Sequence, residues 1–243
     1  MDFQDQRVLV TGATAGIGRE TAQRFAERGA VVIVSGRDEQ RGAETVSAIE
    51  AAGGRAEFIA ADLRDVASVR QLGEQAGEVD VLINNAAILN AHTTLEQDVE
   101  SFGVMFDVDV RAPFFLAAAV LPGMVARGSG VIVNISSMAA SVGVPQAPVV
   151  AATKAAIESF TRSWSAAFGT NGIRVVTVAP GPTLTDGAVA MLGDGGAQLG
   201  KATPLGRSAR PSEIAEAIVF VASPQASYIT GATVAVDGGY TAI

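Results

Sequence analysis

The chain has 243 residues, 49% of them hydrophobic, and carries a formal net charge of -8 with no cysteine. That length is enough for one α/β domain with a large core, whereas the acidic balance argues against nucleic acid as the main partner. Disulfides and thiolate metal sites are excluded, and we predict no metal site.

No segment of the sequence predicts targeting or membrane insertion. Residues Met1 to Arg7 have neither the basic start nor the apolar centre of a signal peptide. The longest apolar stretch, Phe114 to Ala126, contains Pro122 and Gly123 and is too short to span a bilayer. We therefore expect a soluble cytoplasmic protein without a membrane partner.

Short apolar runs alternate with amphipathic segments along the chain. The runs, rich in branched residues, are Val8–Val10, Val31–Val34, Phe58–Ala60, Val81–Ile83, Val131–Ile135, Val175–Val178 and Val234–Val236. Such near-continuous runs are typical of parallel strands buried on both faces. Helical spacing is found between them, as in Arg19–Arg28, Gln40–Ala51 and Ser212–Ala222. The alternation predicts one doubly wound Rossmann-type α/β domain over residues 1–243, with a parallel sheet and helices on both faces.

One glycine-rich stretch, Leu184–Pro204, differs from the rest of the chain. No composition break or repeat accompanies it, so it does not indicate a domain boundary. We predict a mobile loop beside a substrate site, because long loops in compact domains are usually functional.

The turn after the first predicted strand carries the clearest chemical signal. Gly12, Gly16 and Gly18 follow the strand and open a predicted helix. Glycines let the backbone turn tightly and approach a pyrophosphate, and the free N–H groups of the helix start then face the anion. A glycine-rich turn without a ligand is the alternative interpretation, but the strand–turn–helix context favours phosphate.

The end of the second strand indicates which dinucleotide is bound. NAD sites usually have a carboxylate there, whereas an arginine accommodates a 2′-phosphate. This chain has Ser35-Gly36-Arg37, and the planar guanidinium of Arg37 suits a phosphate. Asp38 follows directly and weakens the inference, and the alternative is a surface arginine. The sequence predicts NADP(H).

Several motifs in register resemble the short-chain dehydrogenase/reductase family. They are Thr11-Gly12-xxx-Gly16-Ile17-Gly18, Asn84-Asn85-Ala86-Ala87, Ser137, Thr153-Lys154, Pro180-Gly181, Ile229-Thr230-Gly231 and Val236-Asp237-Gly238-Gly239. The likeness covers almost the entire chain. One small departure is Ala87, where members of the family usually have glycine.

The resemblance implies a set of cofactor contacts. Asp62 and Leu63 resemble the pair at the adenine ring, and Asn84 and Ala86 resemble the strand-end contacts to the adenosine ribose. Lys154 resembles the lysine that binds the nicotinamide ribose. The full expected set is Gly12, Thr14, Gly16, Ile17, Gly18, Arg37, Asp62, Leu63, Asn84, Ala86, Lys154, Pro180, Gly181, Thr183 and Thr185. Within this set, the residues from Pro180 onward resemble the segment of the family that holds the nicotinamide carboxamide.

The expected catalytic residues depart from the family pattern. The family's acid/base is a tyrosine four residues before the lysine, one helical turn away, and Val150 stands there. The chain's tyrosines, Tyr228 and Tyr240, are far away in sequence. The family's helix asparagine is replaced by Asp109. The expected catalytic set is therefore Ser137, Lys154 and Asp109.

The missing tyrosine leaves several functions open. A ketone needs a proton as it is reduced, and general acid catalysis raises the rate of such a reaction by ~10²–10⁴-fold. An imine can be protonated beforehand. We therefore expect an NADPH-dependent reductase of a small or cyclic apolar substrate, with imine or iminium preferred and ketone second. The alternatives are a catalytically silent dinucleotide-binding relative, a lyase or isomerase, and an ordinary carbonyl reductase engineered at position 150.

The expected substrate pocket contains Val150, Met138, His92 and Met191. His92 is the only histidine and is either a substitute acid or a solvated loop residue. Asp109 either stabilises a cationic substrate or pairs with Lys154.

An aromatic stripe follows the lysine along the same predicted helix. Phe160, Trp164 and Phe168 are spaced one turn apart. In the family this helix and the one around residues 106–121 pair across a dimer axis. We expect a homodimer or homotetramer and assign no cofactor role to the stripe.

Overall fold

The computed structural model describes residues 2–192 and 194–243, with side chains for all of these except 191–192 and 194–197. All predicted strands are confirmed within one sheet. The strands are β1 Arg7–Thr11, β2 Val31–Gly36, β3 Arg55–Ala60, β4 Val81–Asn84, β5 Gly130–Ile135, β6 Ile173–Pro180 and β7 Thr233–Val236. Their order is β3-β2-β1-β4-β5-β6-β7, and every neighbouring pair is parallel. The predicted Rossmann-type α/β domain is therefore confirmed.

Helices cover both faces of the sheet. In chain order they are α1 Gly16–Glu27, α2 Glu39–Ala51, α3 Val66–Ala76, α4 Val99–Phe106, α5 Ala112–Arg127, α6 Pro148–Phe168, α7 Asp186–Leu192, α8 Asp194–Lys201 and α9 Pro211–Ala222. Side chains of a strand point alternately to the two faces. Val8 and Val10 thus pack in one buried cluster with α1 and α9 residues, and Leu9 packs in another with residues of α3, α5 and α6.

The strand order reverses direction between β1 and β4, because β2 and β3 lie to one side of β1 and the later strands lie to the other. Open α/β sheets bind their ligands at this switch point, outside the carboxyl ends of the strands. The Gly-rich turn after β1 and the loop after β4 both begin there, and so the fold alone gives the site its position.

Two local features differ from the sequence expectation. The glycine-rich stretch contains the two short helices α7 and α8; glycine disfavours helix, which hid them from sequence reasoning, and the mobility of the stretch stays a prediction. A π-helical turn, Asp107–Arg111, joins α4 to α5. Such turns are frequent at functional sites, and this one carries Asp109. No helix within the described residues is both long and apolar enough to cross a membrane.

Candidate active site

The Gly-rich turn has the geometry of a phosphate cradle. Gly12 and Gly16 have φ values of +64° and +52°, which favour glycine. A Cβ on Gly18 would lie 2.2 Å from the carbonyl oxygen of Gly12, so only glycine fits where helix and turn meet. Ala15 caps α1 without any side-chain hydrogen bond. The first N–H groups of α1 therefore remain for an anion.

The loop after β4 is fastened to this turn. The hydroxyl oxygen of Thr11 accepts hydrogen bonds from the backbone N–H groups of Asn85 and Ala86, each 3.1 Å long. The side-chain amide of Asn85 donates to the carbonyl oxygen of Thr11 over 2.9 Å. A Cβ on Gly12 would approach the Cα of Ala86 to 2.9 Å. The two backbones are thus held in contact at the switch point.

A cleft of about 1010 Å³ runs from this turn along the ends of β2, β3 and β4. Its lining contains Gly12, residues 14–18, 35–38, Arg41, 60–64, Ser68, 85–89, Val108, Thr185 and Gly187. Most of the expected dinucleotide contacts are in this lining, including Thr14, Ile17, Arg37, Asp62, Leu63 and Ala86. The cleft is large enough for a dinucleotide, because ligand pockets usually enclose ~300–1,000 Å³.

At the adenosine end of the cleft, Arg37 is not paired with its acidic neighbour Asp38. Asp38 caps α2, accepting a hydrogen bond from the backbone N–H of Arg41 over 3.0 Å and another from its guanidinium over 2.8 Å. These bonds hold the pKa of the Asp38 carboxyl below its ordinary value. Arg37 is exposed on the cleft wall and, within the described residues, makes no hydrogen bond or ion pair. Its guanidinium is therefore available to a phosphate.

Asp62 is fixed beside the cleft by Arg64. The backbone N–H of Arg64 donates to Asp62 over 3.1 Å, and its guanidinium donates over 3.0 Å. Chiefly through the side-chain bonds, Arg64 lowers the pKa of Asp62, and the nearby positive charge of Arg37 adds to this. Asp62 is thus an ionised acceptor, and together with Leu63 it lines the end of the cleft expected to hold the adenine.

The side chain of Asn84 lies inside the protein, and the expected contact of this residue with the adenosine ribose stays a prediction. Its side chain is buried, and the amide donates to the side-chain oxygen of Asn134 over 2.9 Å. Asn134 in turn donates to the hydroxyl of Thr161 over 2.8 Å. Asn84 therefore braces β4 against β5 and α6, and its neighbour Asn85 lines the cleft. Alternation along the strand could have distinguished the two, since successive side chains point to opposite faces.

The segment after β6 reaches the cleft at Thr185, whereas Pro180, Gly181 and Thr183 are not in its described lining. Pro180 ends β6, and a Cβ on Gly181 would lie 2.5 Å from the Cα of Asp237. The hydroxyl of Thr183 donates to the carbonyl oxygen of Gly181 over 3.0 Å. Thr185 is so close to the phosphate turn that a Cβ on Gly16 would meet its methyl group at 3.1 Å. The segment joins the phosphate turn to the reacting end.

Lys154 and Asp109 form a buried ion pair. Their side chains are 7% and 0% exposed, and the ammonium lies 3.3 Å from one carboxylate oxygen, without the alignment of a hydrogen bond. The ammonium also donates to the carbonyl oxygen of Ile135 over 3.3 Å. The other oxygen of Asp109 accepts the backbone N–H of Ile88 over 2.8 Å. Of the two roles expected for Asp109, the structure favours pairing with Lys154.

Val150, four residues before Lys154, lies in an apolar cluster. Val150 is 6% exposed and packs with Met105 and Val149, against which Ile88 and Phe106 also lie. Its side chain has no proton to give. Ser137 is half-buried, and its oxygen accepts the N–H of Ala139 over 3.2 Å. Because a hydroxyl has one donor and two acceptor positions, its hydrogen remains available to a substrate.

The remaining pocket residues are less well connected to this centre. Met138 is half-buried on a 3₁₀ turn directly after Ser137. His92 lies in the loop after β4, close to Glu96, whose pKa is lowered chiefly by the hydrogen bonds from Thr93. It is absent from the described cleft lining. The prediction for the side chain of Met191 lies outside the described residues.

The aromatic stripe on α6 packs largely within its own subunit. Trp164 is 7% exposed and stacks on Phe160 with ring centres 5.3 Å apart. Phe114 of α5, 41% exposed, lies 5.4 Å from Phe160 and 6.1 Å from Trp164. Phe168 packs against the core cluster on this face of the sheet.

Comparison with known proteins agrees with this geometry. Residues 12–241 match the family described as enoyl-(acyl carrier protein) reductase. The chain is 49% identical to a solved short-chain dehydrogenase/reductase family protein, with a TM-score of 0.95 and full coverage of both chains. The chain belongs to the short-chain dehydrogenase/reductase family. It is an oxidoreductase of the NAD(P)-dependent type found in that family.

Two further relatives show the range of the family around this chain. The cis-4-hydroxycyclohexanecarboxylate dehydrogenase of Sinomonas cyclohexanicum is 40% identical over 99% of this chain and 98% of its own. A blue fluorescent protein from a metagenomic library, solved in complex with NADPH, is 34% identical, with a TM-score of 0.92 and 99% of each chain covered.

Proposed function

We propose that this protein is an NADP(H)-dependent reductase that acts without a tyrosine acid, with a small or cyclic apolar imine as preferred substrate and the matching ketone second. The observation that carries the proposal is Val150, which is buried among apolar side chains where the family's proton donor stands. The proposed assignment keeps Ser137 and Lys154 as the groups that touch substrate and cofactor.

The dinucleotide end supports NADP(H). The turn at Gly12 to Gly18 would hold the pyrophosphate, because a side chain at Gly18 would collide with the backbone there. The free guanidinium of Arg37 would take a 2′-phosphate, while Asp38 is occupied by its helix cap. A structural relative is solved with NADPH. When bound, the reduced nicotinamide supplies a hydride to the substrate carbon.

The chain's own residues limit what can accept that hydride. A ketone that gains a hydride becomes an alkoxide and must take up a proton. Val150 cannot supply the proton, and Ser137 can only donate a hydrogen bond to the developing charge. A protonated imine becomes a neutral amine in the same step and requires no further proton. The apolar wall of Val150, Val149 and Met105 also suits an apolar ring, and the name of one relative indicates a ring substrate.

The test compares a cyclic imine with a ketone of the same ring system. We expect the protein to oxidise NADPH faster with 3,4-dihydroisoquinoline than with 1-tetralone, and the imine rate to rise as the pH falls from neutral toward acid. If neither compound is reduced while NADPH still binds, the protein is better described as a catalytically silent dinucleotide-binding relative, the alternative that Val150 also supports. Faster reduction of the ketone contradicts the imine preference.

Position 150 offers a matched pair of variants. Val150→Tyr restores a phenol, whereas Val150→Phe adds the same ring without a hydroxyl, so their difference isolates the proton donor from the added bulk. We expect Val150→Tyr to reduce the ketone faster than Val150→Phe, by a factor approaching the ~10²-fold rate gain of general acid catalysis. We expect no such difference between the two variants with the imine. Higher imine turnover in Val150→Tyr than in the unmodified protein would contradict an adaptation to imines.

The proposed assembly is a homodimer or homotetramer in which the α5 and α6 faces meet. Phe114 is 41% exposed beside Phe160, so an apolar surface remains although Trp164 belongs to the subunit core. Light scattering is expected to give at least twice the 24.7 kDa mass of one chain. A mass near 24.7 kDa would contradict the proposed assembly and would mean that the aromatic stripe packs only within the monomer.

A further inference from the structure

The ammonium of Lys154 is held by one hydrogen bond and one ion pair, with groups from different elements. Ile135, at the end of β5, offers its carbonyl oxygen at 3.3 Å, and Asp109 on the π-helical turn offers a carboxylate oxygen at 3.3 Å. An ammonium has three N–H groups. The Ile135 carbonyl takes one of them by a hydrogen bond, whereas the Asp109 carboxylate is an ion-pair partner without hydrogen-bond alignment. No other protein acceptor within the described residues binds the ammonium, so N–H groups remain for a ligand.

Asp109 also touches the wall of the cleft. Its second carboxylate oxygen accepts the N–H of Ile88 over 2.8 Å, and Ile88 lines the cleft. The carboxylate thus lies between a cleft-lining loop and the lysine, with the whole residue 1% exposed. A fully buried charge of this kind is tolerated only when it is paired and hydrogen-bonded.

The chemistry of both neighbours requires a carboxylate at position 109. The backbone N–H of Ile88 and the ammonium of Lys154 are both donors, and a carboxylate is an acceptor on both oxygens. An asparagine has one oxygen and one NH₂ group, so it would turn a donor toward one of the two. Val150 and Met105 border this region with apolar surface, where an unpaired polar group is costly.

We infer that Asp109 is a positioning residue, which fixes Lys154 by their ion pair so that the remaining N–H groups of the ammonium serve the nicotinamide half of the bound dinucleotide. The inference rests on the proposed binding of NADP(H) and not on the proposed substrate. It has an unusual consequence, because the residue that the family usually carries at this position, asparagine, should impair this protein. The adenosine half of the ligand, which binds near Arg37 and Asp62, should not be affected.

The test uses two ligands that report on different halves of the cleft. Dissociation constants for NADPH and for 2′,5′-ADP, which lacks the nicotinamide half, are measured on the unmodified protein and on Asp109→Asn. We expect NADPH to bind ~10-fold or more weakly to the variant, because a displaced ammonium would lose its hydrogen bond to the ligand, and 2′,5′-ADP to bind equally to both. Unchanged NADPH binding overturns the inference, as does an equal loss for both ligands.

Asp107→Asn is the matched control. Asp107 lies on the same π-helical turn, but its carboxylate pairs with the guanidinium of Arg111 at 2.6 Å and not with Lys154. The control removes a carboxylate from the same turn and should bind NADPH as the unmodified protein does. A loss in Asp107→Asn equal to that in Asp109→Asn would show that any change in the turn weakens binding and would overturn the inference.

A second set of variants covers the case in which Asp109→Asn fails to fold. Lys154→Met and the double variant Asp109→Asn/Lys154→Met leave no ammonium to be unpaired. If Asp109 acts through Lys154, the two bind NADPH equally, because residues in contact show non-additive effects. Weaker binding by the double variant overturns the inference. If the unmodified protein binds neither NADPH nor 2′,5′-ADP, the proposed cofactor fails and the inference fails with it; any other failure leaves the cofactor assignment standing.

Discussion

The two ends of the site are built in different ways. At the dinucleotide end, the turn from Gly12 to Gly18, the side chain of Asn85 that is bonded to it and the exposed Arg37 lie along one cleft. At the reacting end, Asp109 and Lys154 form a buried ion pair, and Val150 lies in an apolar cluster. Backbone geometry dominates the first end, and individual side chains dominate the second. The first therefore tolerates few substitutions, whereas the second can change its chemistry without changing the fold.

The strongest test of this contrast is Gly18→Ala at the dinucleotide end. The added Cβ would lie 2.2 Å from the Gly12 oxygen and 2.4 Å from the Asn85 amide, so backbone must move. We expect the free energy of unfolding to fall by ~1–3 kcal/mol, the usual cost of overpacking, and NADPH binding to be lost. Calorimetric melting and titration with NADPH measure both effects.

Gly103→Ala is the control for that substitution. Gly103 lies within α4, and a Cβ there would meet nothing within 4 Å. Because alanine is the better helix former, stability should stay unchanged or rise by ~0.5–1 kcal/mol. If Gly18→Ala behaved like Gly103→Ala, the backbone of the turn would not be rigid, and the contrast between the dinucleotide end and the reacting end would fail.

A smaller effect is expected from Arg37→Asp, which changes one side chain at the same end. Losing its contact to the 2′-phosphate should weaken NADPH binding by ~10–150-fold. NADH has no 2′-phosphate, so its affinity should fall little or improve. Equal affinities of the unmodified protein for NADPH and NADH would contradict the cofactor assignment and, with it, the role given to Arg37.

The sequence predicts the fold and the glycine turn well because both depend on patterns. Apolar runs located all strands within a few residues, and glycine spacing located the turn. Asn84 was harder to place, since the motif names two neighbouring asparagines and only the strand's alternation separates the buried one from Asn85. The two contacts of Asp109 come from Ile88 and Lys154, both distant in the chain. Pairing with Lys154 is one of the two roles predicted for Asp109, whereas no local pattern indicates the hydrogen bond from Ile88, which appears only in three dimensions.

The smallest expected effect comes from Asp38→Ala, which tests whether this carboxylate takes part in cofactor choice. In the structure Asp38 caps α2 and binds Arg41. Losing such a cap should lower Tm by ~2–4 °C in a chain of this size, while the ratio of NADPH to NADH affinity stays the same. Asp38→Asn, whose side-chain oxygen can still cap the helix, should recover most of the stability. If Asp38 acts only as a helix cap, removing its negative charge should change the stability of α2 and nothing else. A changed ratio of NADPH to NADH affinity in Asp38→Ala would therefore mean that the carboxylate, and not Arg37 alone, sets the cofactor preference.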